Sequence, residues 1–107
     1  MAASTLERIL LVDDEPFIRE IVEIALHVLS GYTVYTYSSG EEALQEVEDF
    51  APDLILLDVM MPGMDGPTTF SHLRQMPQLE RTPIAFMTAN TKPVSYTHLT
   101  LPTKRIV

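Results

Sequence analysis

The chain opens with a short, almost unbroken apolar run, Arg8-Ile9-Leu10-Leu11-Val12, which stops at Asp13-Asp14-Glu15. An apolar run of this length without polar alternation suits a strand buried on both faces, as in a parallel sheet. Pro16 is placed for a first helical turn, and Phe17, Ile18, Ile21, Val22, Ala25, Val28 and Leu29 recur at helical spacing up to Ser30-Gly31. Residues 32–37 are rich in β-branched and aromatic side chains and predict a second strand. Ser39-Gly40-Glu41-Glu42 is a capping-box pattern that opens a helix toward Phe50. Leu54-Ile55-Leu56-Leu57 repeats the shape of the first run and ends at Asp58, before the turn-rich Met61-Pro62-Gly63-Met64-Asp65-Gly66. Pro67 starts a third helix carrying Phe70, Leu73 and Met76, and Pro83-Ile84-Ala85-Phe86-Met87 reads as a fourth strand ending at Thr88.

Strands alternating with helices predict an α/β fold, a doubly wound parallel sheet with helices on both faces. Ligands of such sheets bind beyond the carboxyl ends of the strands, where strand order reverses. Those ends deliver Asp13, Asp14, Asp58 and Thr88. At ~5 Å and an effective dielectric near 20, each like-charge carboxylate pair costs on the order of 3 kcal/mol. Either a hard cation such as Mg²⁺ neutralises the cluster, or one carboxyl holds a proton with a raised pKa. A carboxylate beside Mg²⁺ is also a nucleophile toward phosphorus, and Asp58 is the best candidate. Taken alone, Asp14 is equally well placed to cap the following helix. Asp65 and Gly66 read as a turn and a helix start. His27 and His72 have no second ligand at metal spacing and read as surface or packing residues, while Met60, Met61 and Met64 read as packing around the turn.

At 107 residues the chain is one domain with one modest core, and 46 % hydrophobic with 21 % charged residues is a globular composition. Seven Lys and Arg against 15 Asp and Glu give a net charge of −8, the wrong sign for direct nucleic-acid binding. The absence of cysteine excludes a disulfide framework, a thiolate zinc site and a cysteine nucleophile. No apolar run approaches the roughly 20 residues of a membrane span, and no leader pattern opens the chain, so a soluble cytoplasmic protein without a membrane partner is expected.

Three segments together resemble the receiver domain of two-component response regulators, the CheY-like superfamily. They are Ile9-Leu10-Leu11-Val12-Asp13-Asp14-Glu15-Pro16, the stretch from Leu54-Ile55-Leu56-Leu57-Asp58 through Val59-Met60-Met61-Pro62-Gly63-Met64-Asp65-Gly66, and Pro83-Ile84-Ala85-Phe86-Met87-Thr88-Ala89. The resemblance implies a flavodoxin-like fold and a signalling phosphoacceptor rather than a metabolic enzyme. It implies that Asp58 takes a phosphoryl group from a sensor histidine kinase or histidine phosphotransfer protein. It also implies Mg²⁺ held by Asp14, Asp58 and the backbone carbonyl of Met60, with Asp13 acting mainly through water. Thr88 would hydrogen-bond the phosphoryl group and move on activation, small Ala89 would leave the site open, and an output domain would follow in a longer gene.

Receivers also carry a lysine at the end of a fifth strand. Lys92-Pro93 comes only four residues after Thr88, too close for a parallel crossover of a dozen or more residues, so Lys92 is not that lysine. Residues 94–107 hold no acidic residue and no helical periodicity, and the stretch from Val94 to Thr103 resembles a translated sequencing adapter. The expected division is therefore 1–93, a truncated receiver lacking the fifth strand and last helices, and 94–107, a non-native tail. A genuine short C-terminus would instead pair Thr97, Leu99 and Leu101 as an improvised edge strand. The alternative function is a receiver-like interaction module or fragment that does not accept phosphate. A phosphatase of the haloacid dehalogenase type would want an aspartate where Met60 stands, and a dinucleotide-binding module would want a Gly-rich turn after the first strand.

Overall fold

The computed structural model describes residues 6–49 and 51–88 together with the two-residue strand Arg105–Ile106. Four strands, β1 (Arg8–Val12), β2 (Thr33–Tyr37), β3 (Leu54–Asp58) and β4 (Ile84–Thr88), lie parallel in the order β2-β1-β3-β4. Their bounds follow the apolar runs to within a residue or two; the central strands β1 and β3 are buried from both sides, whereas β2 and most of β4 are only partly buried. Ile9, Leu10, Leu11, Ile55 and Leu57 are all but sealed from solvent. The chain passes from β1 outward to β2 and then back across to β3, so strand order reverses between β1 and β3.

The helices are α1 (Pro16–Glu23), α2 (Gly40–Glu46) and α3 (Gly66–Arg74). Ser39 caps α2 by accepting from the Glu42 N–H at 3.1 Å, while the Glu42 carboxylate takes the Ser38 N–H at 3.0 Å. Asp65 caps α3, its carboxylate accepting from the Thr68 N–H at 2.9 Å. One face of the sheet packs against α2 and α3 through Leu10, Val12, Ala43, Ile55, Leu57 and Leu73, with Phe70 and Phe86 tilted together at 5.6 Å. On the other face, Ile9, Leu11, Leu56 and Met87 pack, among the described residues, against Val22 and Leu26 from the first helix and its continuation.

That first helix departs from its sequence reading in two ways. After Glu23 it widens into a π-helical turn, Ile24–Val28, before ending at Gly31, whose φ of +83° is the left-handed conformation glycine tolerates. Periodicity also marks a helix without choosing its buried side. Phe17, Ile21, Ile24 and Val28 form a stripe that is 47–67 % exposed, and the sheet is covered by Val22 and Leu26 instead.

Among the described residues there is no fifth parallel strand. Arg105–Ile106, labelled β5, pairs antiparallel with the end of β4, Arg105 opposite Thr88 and Ile106 opposite Met87. The outer edge of β4 is thus partly covered rather than bare. Thr97, Leu99 and Leu101, the residues expected to form such an edge, lie outside the described residues, as do Ala89 and Lys92.

Candidate functional site: an acidic cluster at the carboxyl edge

All four parallel strands present their carboxyl ends at one edge, and the reversal between β1 and β3 opens a crevice there. Asp13 and Asp14 follow β1, Asp58 closes β3, Met60 sits in the loop after it, and Thr88 closes β4. One carboxylate oxygen from each of Asp13, Asp14 and Asp58 falls within 4.8 Å of the others. The sequence reading brings the same three together.

The three carboxylates differ in surroundings. Asp13 is 2 % exposed, and burial at that depth requires hydrogen bonds to the charge. Its Oδ1 accepts the Glu15 N–H at 2.9 Å, its own N–H donates to the Tyr37 carbonyl at 3.1 Å, and its carbonyl accepts from the Arg19 guanidinium at 2.8 Å. The cap position of α1 falls on Glu15, whose side chain makes no capping bond, so the Asp14 carboxylate, half-buried, belongs to the cluster. Asp58 is pushed up to about 7, first by burial and then by the charges of Asp13 and Asp14. A side-chain hydrogen bond with Asp14 adds to the rise, and the Met60 backbone N–H opposes it. A carboxyl so displaced has one of two natural fates: it holds a proton, or it faces a cation that restores its charge. Three oxygens converging within reach of one ion form a hard donor set that suits Mg²⁺.

The loop after β3 is held by backbone. The Gly66 N–H donates to the Val59 carbonyl at 2.9 Å, and the Val59 N–H to the Met87 carbonyl at 3.3 Å. A Cβ on Gly66 would collide with the Asp58 carbonyl and the Val59 backbone, so the helix start read from sequence is also a position with no room for a side chain. Gly63, with φ of +77°, makes the tight turn. Of the neighbouring methionines, Met61 is core, Met64 is half-buried and Met60 is 68 % exposed. His27 and His72 are exposed and are not part of the cluster; the His27 Nδ1 lies 2.7 Å from the Tyr32 carbonyl. Two contributors escaped the sequence reading. Arg19 gives only the weak signal of a base one turn into the helix, and Gly66 is indistinguishable in sequence from an ordinary turn residue.

The family model of the response regulator receiver domain matches residues 9–100, a span that runs past residue 93. The alkaline phosphatase synthesis transcriptional regulatory protein PhoP of Bacillus subtilis is 47 % identical over 83 residues, 78 % of this chain and 33 % of that regulator. The chain spans about a third of the length of the curated relatives it matches. Among solved structures, the chemotaxis response regulator CheY4 of Vibrio cholerae superposes with a TM-score of 0.76 at 36 % identity, over 83 % of this chain and 73 % of that one. The response regulator TrrA of Thermotoga maritima, solved in complex with Mg²⁺ and BeF, gives a TM-score of 0.69 at 37 % identity, covering 79 % and 71 %. The chain belongs to the response regulator receiver family, signalling domains of two-component systems with the CheY-like flavodoxin fold. No helix among the described residues is long and apolar enough to cross a membrane.

Proposed function

We propose that Asp58 accepts a phosphoryl group from a histidine kinase or histidine phosphotransfer protein, and that the added charge switches the chain's surface toward an output. The observation that carries this reading is the meeting of Asp13, Asp14 and Asp58 within 4.8 Å at the carboxyl edge of the sheet. A carboxylate oxygen of Asp58 attacks phosphorus and forms the O–P bond of an acyl phosphate. The P–N bond to the donor histidine breaks, and the imidazole leaves with the bonding pair and takes up a proton. Nothing beyond this transfer and the later hydrolysis of the acyl phosphate is catalysed.

The residues fit Mg²⁺: Asp14, Asp58 and the Met60 carbonyl would hold it directly and Asp13 through water, and it would neutralise charge on the transferring group. The same ion would draw Asp58 back to its ionised, nucleophilic form. The relative from Thermotoga maritima, solved in complex with Mg²⁺ and BeF, supports Mg²⁺ as the ion, while the division of ligands among these residues is part of the proposal. Thr88, at the end of β4, is the residue assigned to hydrogen-bond the phosphoryl oxygens and carry the switch, a role that two extra negative charges and three strong acceptors would drive. This receiver assignment rests on residues 1–93 and sets 94–107 apart. A cytoplasmic location beside its kinase is part of this proposal, and the longer relatives support an output domain beyond the receiver.

Intact-mass analysis after incubation with acetyl phosphate, with and without Mg²⁺, tests the reading on this chain and on Asp58→Asn. The expected result is a Mg²⁺-dependent gain of one phosphoryl group that Asp58→Asn abolishes. No gain in a folded chain would favour the phosphorylation-incompetent module.

A further inference from the structure

Arg19 is one turn into α1, with its backbone N–H bonded to the Glu15 carbonyl at 3.0 Å. Its guanidinium turns back toward the sheet and donates to the Asp13 carbonyl at 2.8 Å. Asp13 is therefore gripped from three directions: by the Tyr37 carbonyl on β2, by the Glu15 N–H in its own loop, and by Arg19 on α1. The carbonyl that Arg19 holds belongs to the peptide joining Asp13 to Asp14. The orientation of that peptide plane fixes where the Cα of Asp14, and hence its carboxylate, stands relative to Asp58.

We infer that Arg19 is a positioning residue for the acidic site, holding the peptide between Asp13 and Asp14 so that both carboxylates converge with Asp58. The inference rests on the Mg²⁺-binding reading above. Groups one bond removed from a metal's ligands typically change metal affinity by about 10–100-fold when removed. Arg19 acts through the backbone of a ligand residue, so the low end of that range applies. Coupling is reciprocal: if the Arg19 bond favours the ion-binding arrangement, the bound ion must strengthen the Arg19 bond by the same factor.

The test titrates Mg²⁺ into wild type, Arg19→Gln, Arg19→Lys and, as a structural control, Arg74→Met, with the folded fraction followed by circular dichroism. Arg19→Gln is expected to bind Mg²⁺ about tenfold more weakly, Arg19→Lys to recover most of the loss because an ammonium still reaches a carbonyl, and Arg74→Met to bind as wild type does. Exchange of the Arg19 guanidinium protons in the unmutated chain supplies a second readout that needs no variant to fold. It is expected to slow about tenfold when Mg²⁺ saturates. Wild-type Mg²⁺ binding with an unchanged affinity in Arg19→Gln, or with guanidinium exchange indifferent to the ion, overturns the inference. A wild-type chain that binds no Mg²⁺ overturns the reading of the site itself.

Discussion

Asp53 and Arg8 are joined twice: the Asp53 carboxylate accepts the Arg8 N–H at 2.8 Å, and the Asp53 N–H donates to the Arg8 carbonyl at 2.7 Å. The same Oδ2 also takes the Glu7 N–H at 2.9 Å. These bonds tie the starts of β1 and β3 at the edge opposite the acidic site. The two backbone N–H groups hold the carboxyl below the ordinary carboxylate range. Its contribution is therefore present above the unfolded value and lost as pH falls through the depressed native one. Asp53→Ala is expected to cost about 1 kcal/mol at neutral pH, the low end for a charged acceptor because this carboxylate lies open to water. Urea midpoints of both chains should converge in acid; a difference that persists at low pH would contradict the assignment.

Asp58 titrates in the opposite sense. Its native value, about 7, lies above that of an unfolded aspartate, so the folded chain holds the proton more tightly. Stability from this group is complete below the unfolded value and declines as pH rises through the native one. With divalent cations chelated, Asp58→Asn is expected to be more stable than wild type at pH 8 by roughly 1–2 kcal/mol, a figure reduced for solvent screening. At pH 4 the two should match. Adding Mg²⁺ at tenfold its dissociation constant should stabilise the wild type by about 1.4 kcal/mol and leave Asp58→Asn much less affected. Denaturant curves at the two pH values, with and without Mg²⁺, decide this.

Gly66→Ala is expected to be damaging although the change adds a single methyl group. The three nearest atoms that group would meet are all backbone, from Asp58 and Val59, and none of them can rotate away. The loop carrying Met60 must move instead. A loss of about 2 kcal/mol or more is expected, together with weaker Mg²⁺ binding. A variant as stable as wild type would show that the loop yields easily.

Arg74 closes the far end of α3. Its Nη1 reaches the carbonyls of Leu79, Glu80 and Thr82 at 2.9, 3.1 and 2.8 Å, and its guanidinium lies 5.3 Å from the centre of the Phe70 ring. Arg74→Met keeps the aliphatic stem and removes the donors. It is expected to lower the urea midpoint by an amount equivalent to about 1–2 kcal/mol, with the slope unchanged.

The strands and the acidic cluster were legible because one physical cause writes both. A strand buried on two faces must be apolar throughout, so Val12 and Leu57 are followed by abrupt polarity where the chain leaves the sheet. Three aspartates at such exits meet only if the strands run parallel, which the alternation with helices already implied. What stayed hidden depends on contacts between distant elements. Which side of the first helix and its continuation faces the sheet, Val22 and Leu26 rather than Phe17 and Ile21, is set by how the helix lies on it. The π-helical turn at Ile24–Val28 has no compositional mark. Gly66 and Arg19 matter through a neighbour's backbone, and a one-dimensional pattern carries no record of that.

The place of β1 between β2 and β3 also bears on how the chain reaches its native state. Leu10 faces Tyr35 on one side and Ile55 on the other, so this strand waits for two later segments before its hydrogen bonds are filled. None of the pairings among the four parallel strands is a hairpin. Each doubling of the loop to be closed adds about 0.6 kcal/mol of entropy, so the β1–β2 pairing has the lower barrier and β3 docks onto a ribbon already formed. The folding rate of this chain is thus governed by loop closure across its helices, and substitutions in β1 should slow folding more than they speed unfolding.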